Sequence, residues 1–125
     1  MINYNLKSFE ITVAAADGAQ SSLDVSPATI SSKQRLHVAE CYVSCDADNS
    51  VNVAARLGFA ASSLTAAALT GISKIVLVHP DIAPGSGTPG LRGITGAAGD
   101  KLLFSCDAPT GGSITLNYSY EIVPG

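Results

Sequence analysis

Apolar and polar residues alternate with a period of two in several short segments, and this pattern restricts the fold more than any other feature. From Ile114 to Ile122 every second residue is apolar or aromatic, and the residues between them are polar. A period of two puts successive side chains on opposite faces of an extended strand, so this segment predicts a strand with one buried face. The same pattern occurs at Phe9–Val13 and Val51–Phe59.

Other segments predict further strands. Ile75–Val78 and Leu102–Phe104 are continuously apolar, which is typical of strands covered on both faces, and Leu36–Val43 is a mixed strand. The weaker candidates are Ser21–Val25, Ala28–Ser32 and Leu91–Thr95. Turn-forming residues separate the runs, and we expect hairpin turns at Asp46–Ser50 and at Gly111-Gly112.

Eight or so short strands without alternating helices predict an all-β fold, a β-sandwich with jelly-roll or related Greek-key topology. Only Ala60–Leu69 is rich enough in alanine to predict a short helix. An immunoglobulin-like sandwich is disfavoured because the chain has no Trp for the usual core position of that fold. Residues 1–125 are expected to form a single sandwich domain.

Charged residues are scarce in this chain. They make up 14% of the sequence, against about 25% in ordinary soluble domains, and none lies between Arg56 and Lys74. A chain of this length leaves much of its uncharged surface outside the core, so we expect other subunits to cover part of it. The alternative is a monomer with a neutral exterior rich in Ala, Ser and Thr.

Several classes of partner and compartment are disfavoured. The seven Lys and Arg residues are too scattered to form a phosphate-binding stripe, so nucleic acid is not an expected partner. Polar residues interrupt Leu57–Ser73, which is too short for a membrane span. Met1–Glu10 has no apolar run and therefore predicts no signal peptide.

The three cysteines predict buried, reduced thiols rather than a disulfide framework, because their number is odd. A metal site of His37, Cys41 and Cys45 is disfavoured, since strand residues four apart lie roughly 13 Å from each other. A disulfide from Cys106 to Cys41 or Cys45 stays open, because distant strands can be neighbours in space.

No catalytic, cofactor or metal residue is predicted, and the protein is not expected to be an enzyme. His79 and Asp81 could act as a base and its orienting group, but no positioned nucleophile accompanies them. Asp46–Asn49 resembles the start of a calcium loop, yet its sixth position is Val51 and its twelfth is Leu57. Gly85-Ser86-Gly87 lacks the Lys of a phosphate-binding loop.

The longest predicted irregular segment runs from His79 to Gly90 and contains three prolines and three glycines. Long loops in compact domains are often functional, so this segment is the candidate partner-contact loop, with a plain strand connection as the alternative. The candidate contact residues are His79, Asp81, Ile82, Pro84, Ser86, Thr88 and Arg92.

Two segments, Ile75–Gly87 (IVLVHPDIAPGSG) and Cys106–Tyr120 (CDAPTGGSITLNYSY), resemble the end of small virion structural proteins of tailed phages and prophages. The resemblance implies a compact β-sandwich that decorates or cements the head shell and forms dimers or trimers on the capsid lattice. Its partners would be itself and the major capsid protein or another virion protein. It implies no catalytic residue, and it does not separate head from tail roles.

We therefore expect a virion structural protein, made in the host cytoplasm, that binds through shape and buried apolar contact. The alternative is a carbohydrate- or receptor-binding module of a head fibre or tail tip, since jelly rolls also occur in lectins. That alternative requires an exposed aromatic platform or a bound cation.

Overall fold

Nine strands in two antiparallel sheets form most of the computed structural model, which describes residues 5–60 and 74–125. The strands are β1 Lys7–Ala14, β2 Gln20–Asp24, β3 Gln34–Cys45, β4 Val53–Ala60, β5 Lys74–Ile82, β6 Gly87–Pro89, β7 Ile94–Thr95, β8 Lys101–Cys106 and β9 Ser113–Pro124. The helical structure within these ranges consists of a single 3-10 turn at Ala15–Asp17. The all-β prediction is confirmed. Of the predicted helix at Ala60–Leu69, only Ala60 lies within the described residues.

The order of the strands in the two sheets is that of a jelly roll. The first sheet has the order β1-β9-β3-β6, with β7 also paired to β3, and the second has the order β2-β8-β4-β5. Because β6 and β7 both pair with β3, they are two pieces of one strand. The first strand then pairs with the last, the second strand with the second-to-last, and so on inward to the β4–β5 pair. This is the pairing of one long hairpin rolled into a sandwich.

The core lies between the two sheets and is built from alternate residues of the strands. On β9, Ile114, Leu116 and Tyr118 are buried, as the period of two predicts. From the second sheet, Phe59 and Phe104 fill the interior and are fully buried. Burial of these apolar side chains is the main stabilising contribution to the fold.

Tyr118 also connects the two sheets by a hydrogen bond. Its hydroxyl donates to the carbonyl of Val25, which follows β2 in the opposite sheet. Its ring lies 5.1 Å from that of Phe9 and 5.7 Å from that of Tyr120, measured between centroids. Burial raises the pKa of Tyr118 above its ordinary value, so the hydroxyl stays protonated and keeps donating.

Some predicted strands differ from the structure. Ile75 and Val78 are 44% and 51% exposed, so Ile75–Val78 is not covered on both faces; β5 is an edge strand, and only Val76 and Leu77 of this run are buried. Ala28–Ser32 is not a strand, although Ile30 reaches the core. Within Leu91–Thr95 only Ile94–Thr95 forms a strand.

Both predicted hairpin turns are connections between sheets. Asp46–Ser50 joins β3 of the first sheet to β4 of the second, and Gly111-Gly112 lies between β8 of the second sheet and β9 of the first. The hairpin prediction is therefore wrong at both places, because the strands on either side do not pair with each other. In the described ranges no helix is long and apolar enough to cross a membrane.

Candidate functional site

The predicted contact loop is mostly strand and tight turn. β5 continues to Ile82 and β6 begins at Gly87, so the irregular part shrinks to Ala83–Ser86. The Ser86 N–H donates to the Ala83 carbonyl at 3.0 Å, and Gly85 has φ of 79°, which with Pro84 before it makes a type II turn. The prediction of a long irregular segment is wrong, because β3 and β4 supply backbone partners for both arms.

The seven candidate contact residues differ in their access to solvent. Ile82 is only 2% exposed and packs in the core, so the structure contradicts its assignment as a partner contact. Asp81, Ser86 and Arg92 are exposed, and the other three, His79, Pro84 and Thr88, are half-buried. The His79 Nδ1 accepts a hydrogen bond from the Asp81 backbone N–H at 3.1 Å, a local contact within β5 where its pairing with β4 is irregular. A contact role for the six remaining residues stays a prediction.

Three exposed apolar side chains lie near the same edge of the second sheet. Ile75, Val78 and Leu91 are 44%, 51% and 57% exposed, and we call them the edge patch. The Leu91 N–H donates to the Val76 carbonyl at 2.7 Å, which ties the segment after β6 to β5 between the other two members. The sequence analysis did not identify Ile75 and Val78 as surface residues, because a continuous apolar run indicates a strand that is buried on both faces.

The outer surface of the first sheet is, in contrast, polar. Residues of three neighbouring strands point away from the core there, in register: Glu10 of β1 pairs with Asn117 of β9, which pairs with Tyr42 of β3. The next row is formed by Ser8, Ser119 and Glu40. We call these six residues the polar face. Together with Arg92 and the end of β6 they border an open cleft of about 490 Å³.

Tyr42 is the aromatic residue of this cleft that faces solvent. It is 45% exposed. A Cβ built on Gly87 of β6 would overlap the end of the Tyr42 ring, with Cε1 only 2.5 Å away. The ring therefore lies across the glycine backbone, and the glycine is what allows this close approach. The sequence analysis did not single out Tyr42, since its neighbours in the mixed strand gave no sign of which face was covered.

The charges around the cleft are few. Arg92 Nε lies 3.8 Å from Glu40 Oε1, and both side chains are largely exposed. Glu10 is the third charged residue of the cleft lining. Two carboxylates and one guanidinium leave one net negative charge, so the cleft disfavours anionic ligands.

The cysteines are free and buried, as predicted, and the structure contains no disulfide between Cys106 and Cys41 or Cys45. Burial raises the pKa of all three thiols, that of Cys106 to about 11. His37 does not join them: its Nδ1 lies 2.8 Å from the Thr95 hydroxyl. Over residues 5–60 and 74–125 no group of three metal-ligating side chains comes together.

No protein-family model and no curated protein matches this chain. Among solved structures, a chain from the acid-stable capsid structure of Helicobacter pylori bacteriophage KHP30 is similar, with a TM-score of 0.57 and 10% identity over 99% of this chain and 95% of that one. A chain from the cyanophage Pam1 capsid asymmetric unit has a TM-score of 0.46 and 15% identity over 93% and 84% of the two chains. The core of Drosophila NLP, a pentamer, has a TM-score of 0.48 and 10% identity over 92% and 95%. At such identity the likeness concerns the fold, and this chain shares the fold of the KHP30 capsid chain.

Proposed function

We propose that this protein is a non-enzymatic structural component of a phage virion that decorates or cements the capsid shell. The supporting observation is the jelly-roll fold shared, over 99% of this chain and 95% of the other, with the chain from the KHP30 capsid structure. Both chains are thus about the same size, so the likeness is not to one domain of a larger protein. The two resembling sequence segments, at Ile75–Gly87 and Cys106–Tyr120, favour the same role.

Shape and apolar contact are the proposed means of binding. The edge patch offers three half-exposed apolar side chains on β5 and on the segment tied to it, and β5 is the last strand of its sheet among the described residues. Apolar contacts at the centre of an interface, surrounded by polar residues, are typical of stable protein association. Asp81 and Arg92 are exposed and close in sequence to the patch, and they would lie at its rim.

The binding stabilises the shell without chemistry. A protein that binds the assembled lattice and not its separated subunits shifts the equilibrium toward the lattice by mass action. We expect the protein to form a dimer or trimer, because self-association covers part of a surface that carries few charges. Its proposed partners are then itself and the major capsid protein or another virion protein, and its proposed location is the virion.

Light scattering of the purified protein, alone and mixed with shells of the encoding phage that lack accessory proteins, tests this function. We expect a stable dimer or trimer that saturates the shell at a ratio matching the lattice, and a shell that resists dissociation better once it is saturated. A monomer that does not bind the shell would contradict the proposal.

A further inference from the structure

We propose that the polar face of the first sheet binds a neutral saccharide, with the Tyr42 ring as its stacking platform. This inference goes beyond the proposed virion role, because Tyr42 and the polar face lie on the first sheet, whereas Ile75 and Val78 of the edge patch lie on the second. It rests on three features of the cleft: the position of the ring, the spacing of the polar side chains and the charge.

The ring is held in the orientation that stacking needs. One end of Tyr42 covers Gly87, where any side chain would collide with it, and yet 45% of the residue stays exposed. The ring face turned away from the glycine is therefore open to solvent. Such a face, apolar in the middle and carrying a hydroxyl at its tip, suits the flat C–H face of a sugar ring.

Hydrogen-bonding groups stand in the same row of the sheet as Tyr42, at the spacing of its strands. Asn117 lies one strand away from Tyr42 and Glu10 lies two strands away in the same row. Adjacent strands are about 4.8 Å apart, so the Cα atoms of Tyr42 and Glu10 are separated by roughly 10 Å, with the shorter Asn117 side chain between them. Asn117 can both donate and accept hydrogen bonds, and Glu10 can accept from two sugar hydroxyls.

The composition of the cleft favours a saccharide over a protein partner. The centre of a protein interface is apolar and contains few charged residues, whereas this cleft combines serines, an asparagine, two glutamates and an arginine with apolar and aromatic residues such as Phe9, Pro89 and Tyr118. A saccharide site instead combines a small number of polar groups with an aromatic surface. The net negative charge selects against sialylated, sulfated or phosphorylated glycans and leaves neutral hexose and N-acetylhexosamine units as the expected ligands.

The test is an array of neutral, sialylated and sulfated oligosaccharides, probed with the whole protein displayed on fluorescent beads so that weak single-site binding is amplified by multivalency. We expect binding to neutral glycans and none to the acidic ones. The best neutral glycan is then titrated against soluble variants. Removing the platform in Tyr42→Ala is expected to weaken binding by about tenfold or more, whereas Tyr42→Phe keeps the stacking surface and most of the affinity.

Gly87→Ala provides a second test that removes no ligand-contacting group. The new methyl group displaces the mobile end of the Tyr42 side chain, so the fold is retained while glycan affinity falls as it does in Tyr42→Ala. Ile75→Thr, on the other sheet, is the matched control and should leave glycan binding unchanged. The proposal is overturned if no neutral glycan binds, if only acidic glycans bind, or if Tyr42→Ala binds as well as the unmodified protein. Shell binding through the edge patch would survive each of these outcomes, so the two proposals fail separately.

Discussion

At the scale of single residues, Tyr118 contributes to stability through both its ring and its hydroxyl. The hydroxyl donates to the Val25 carbonyl across the sandwich, and Tyr118 is only 3% exposed. Tyr118→Phe keeps the ring and leaves that carbonyl without its side-chain donor, which we expect to lower the free energy of unfolding by about 1–3 kcal/mol. Urea denaturation measures this loss. Tyr120→Phe, a half-buried neighbour on the same strand, is the control and should stay within about 0.5 kcal/mol of the unmodified protein.

Buried thiol and phenol groups make the folding stability of the protein decrease at high pH. The pKa of Cys106 is about 11 in the folded state and 9.0 for an unperturbed thiol, because burial disfavours the thiolate. Between these values the folded state binds more protons than the unfolded state, so the stability present below pH 9 decreases as the pH rises toward about 11. Tyr118, whose pKa is also raised by burial, extends the loss to higher pH.

Thermal melting between pH 8 and pH 11 in a series of buffers, at roughly half-unit steps, measures this dependence. At pH 8 we expect Cys106→Ala to have a lower melting temperature than the unmodified protein, because a buried side chain is shortened. As the pH rises, the melting temperature of the variant should fall less than that of the unmodified protein. The other raised pKa values, those of Cys41, Cys45 and Tyr118, keep part of the dependence in the variant. Parallel curves for the two proteins would show that Cys106 does not titrate as we expect.

Single residues were predicted well where alternation alone decides their environment. Tyr118 and Tyr120 share a strand face with Ile114 and Leu116, and the structure places Tyr118 in the core and Tyr120 against it. Alternation does not say which face of a strand another sheet covers. For that reason Ile75 and Val78 were assigned to the interior, although they are 44% and 51% exposed, and Tyr42 received no role at all.

At the scale of elements, one asparagine holds together two connections between the sheets. Asn49, only 4% exposed, follows β3, and its Oδ1 accepts from the N–H groups of Thr110 and Gly112 at 2.8 and 3.2 Å. Its Nδ2 donates to the Asp46 and Ser113 carbonyls, both at 3.1 Å. One side chain thus satisfies backbone groups of both connections.

Replacing Asn49 by Ala removes these bonds and leaves the N–H groups of Thr110 and Gly112 without this acceptor, whereas the Asp46 and Ser113 carbonyls keep backbone donors. We expect the free energy of unfolding to fall by about 2–4 kcal/mol, measured by urea denaturation. Asn52→Ala is the matched control, because Asn52 is an exposed asparagine just before β4 and its replacement should cost no more than about 0.5 kcal/mol. Equal losses in the two variants would mean that Asn49 does not hold the connections together.

The same two connections show what local turn signals leave undetermined. Asp, Asn and Gly clusters correctly marked the chain reversals at Asp46–Ser50 and Gly111-Gly112. A reversal that joins two paired strands and one that crosses between two sheets use the same residue types, however, so both were assigned as hairpins. What distinguishes them is the partner of each strand, β9 for β3 and β8 for β4, and these partners lie far away in the sequence.

At the scale of the whole molecule, the all-β sandwich follows from the number of strands and the absence of alternating helices, which are visible in the sequence, whereas the jelly-roll strand order is seen only in the structure. The candidate sites do not follow from them, because each depends on strands that are distant along the chain. The polar face combines β1, β3 and β9, and the edge patch combines β5 with the segment after β6. As a result the molecule has two surfaces of different character, which adjoin where Leu91 of the edge patch lies between Gly90 and Arg92 of the cleft lining.

This arrangement predicts that shell binding depends on the edge patch and not on the polar face. We expect the combined variant Ile75→Thr, Val78→Thr and Leu91→Ser to bind shells at least about tenfold more weakly, because the apolar area it would bury is replaced by polar groups. Its melting temperature should change little, since all three side chains are about half exposed already. Glu10→Gln combined with Tyr42→Ala is the control on the polar face and should saturate shells normally. If the control loses shell binding and the edge-patch variant keeps it, the shell contacts the first sheet instead, and the cleft is then a protein interface.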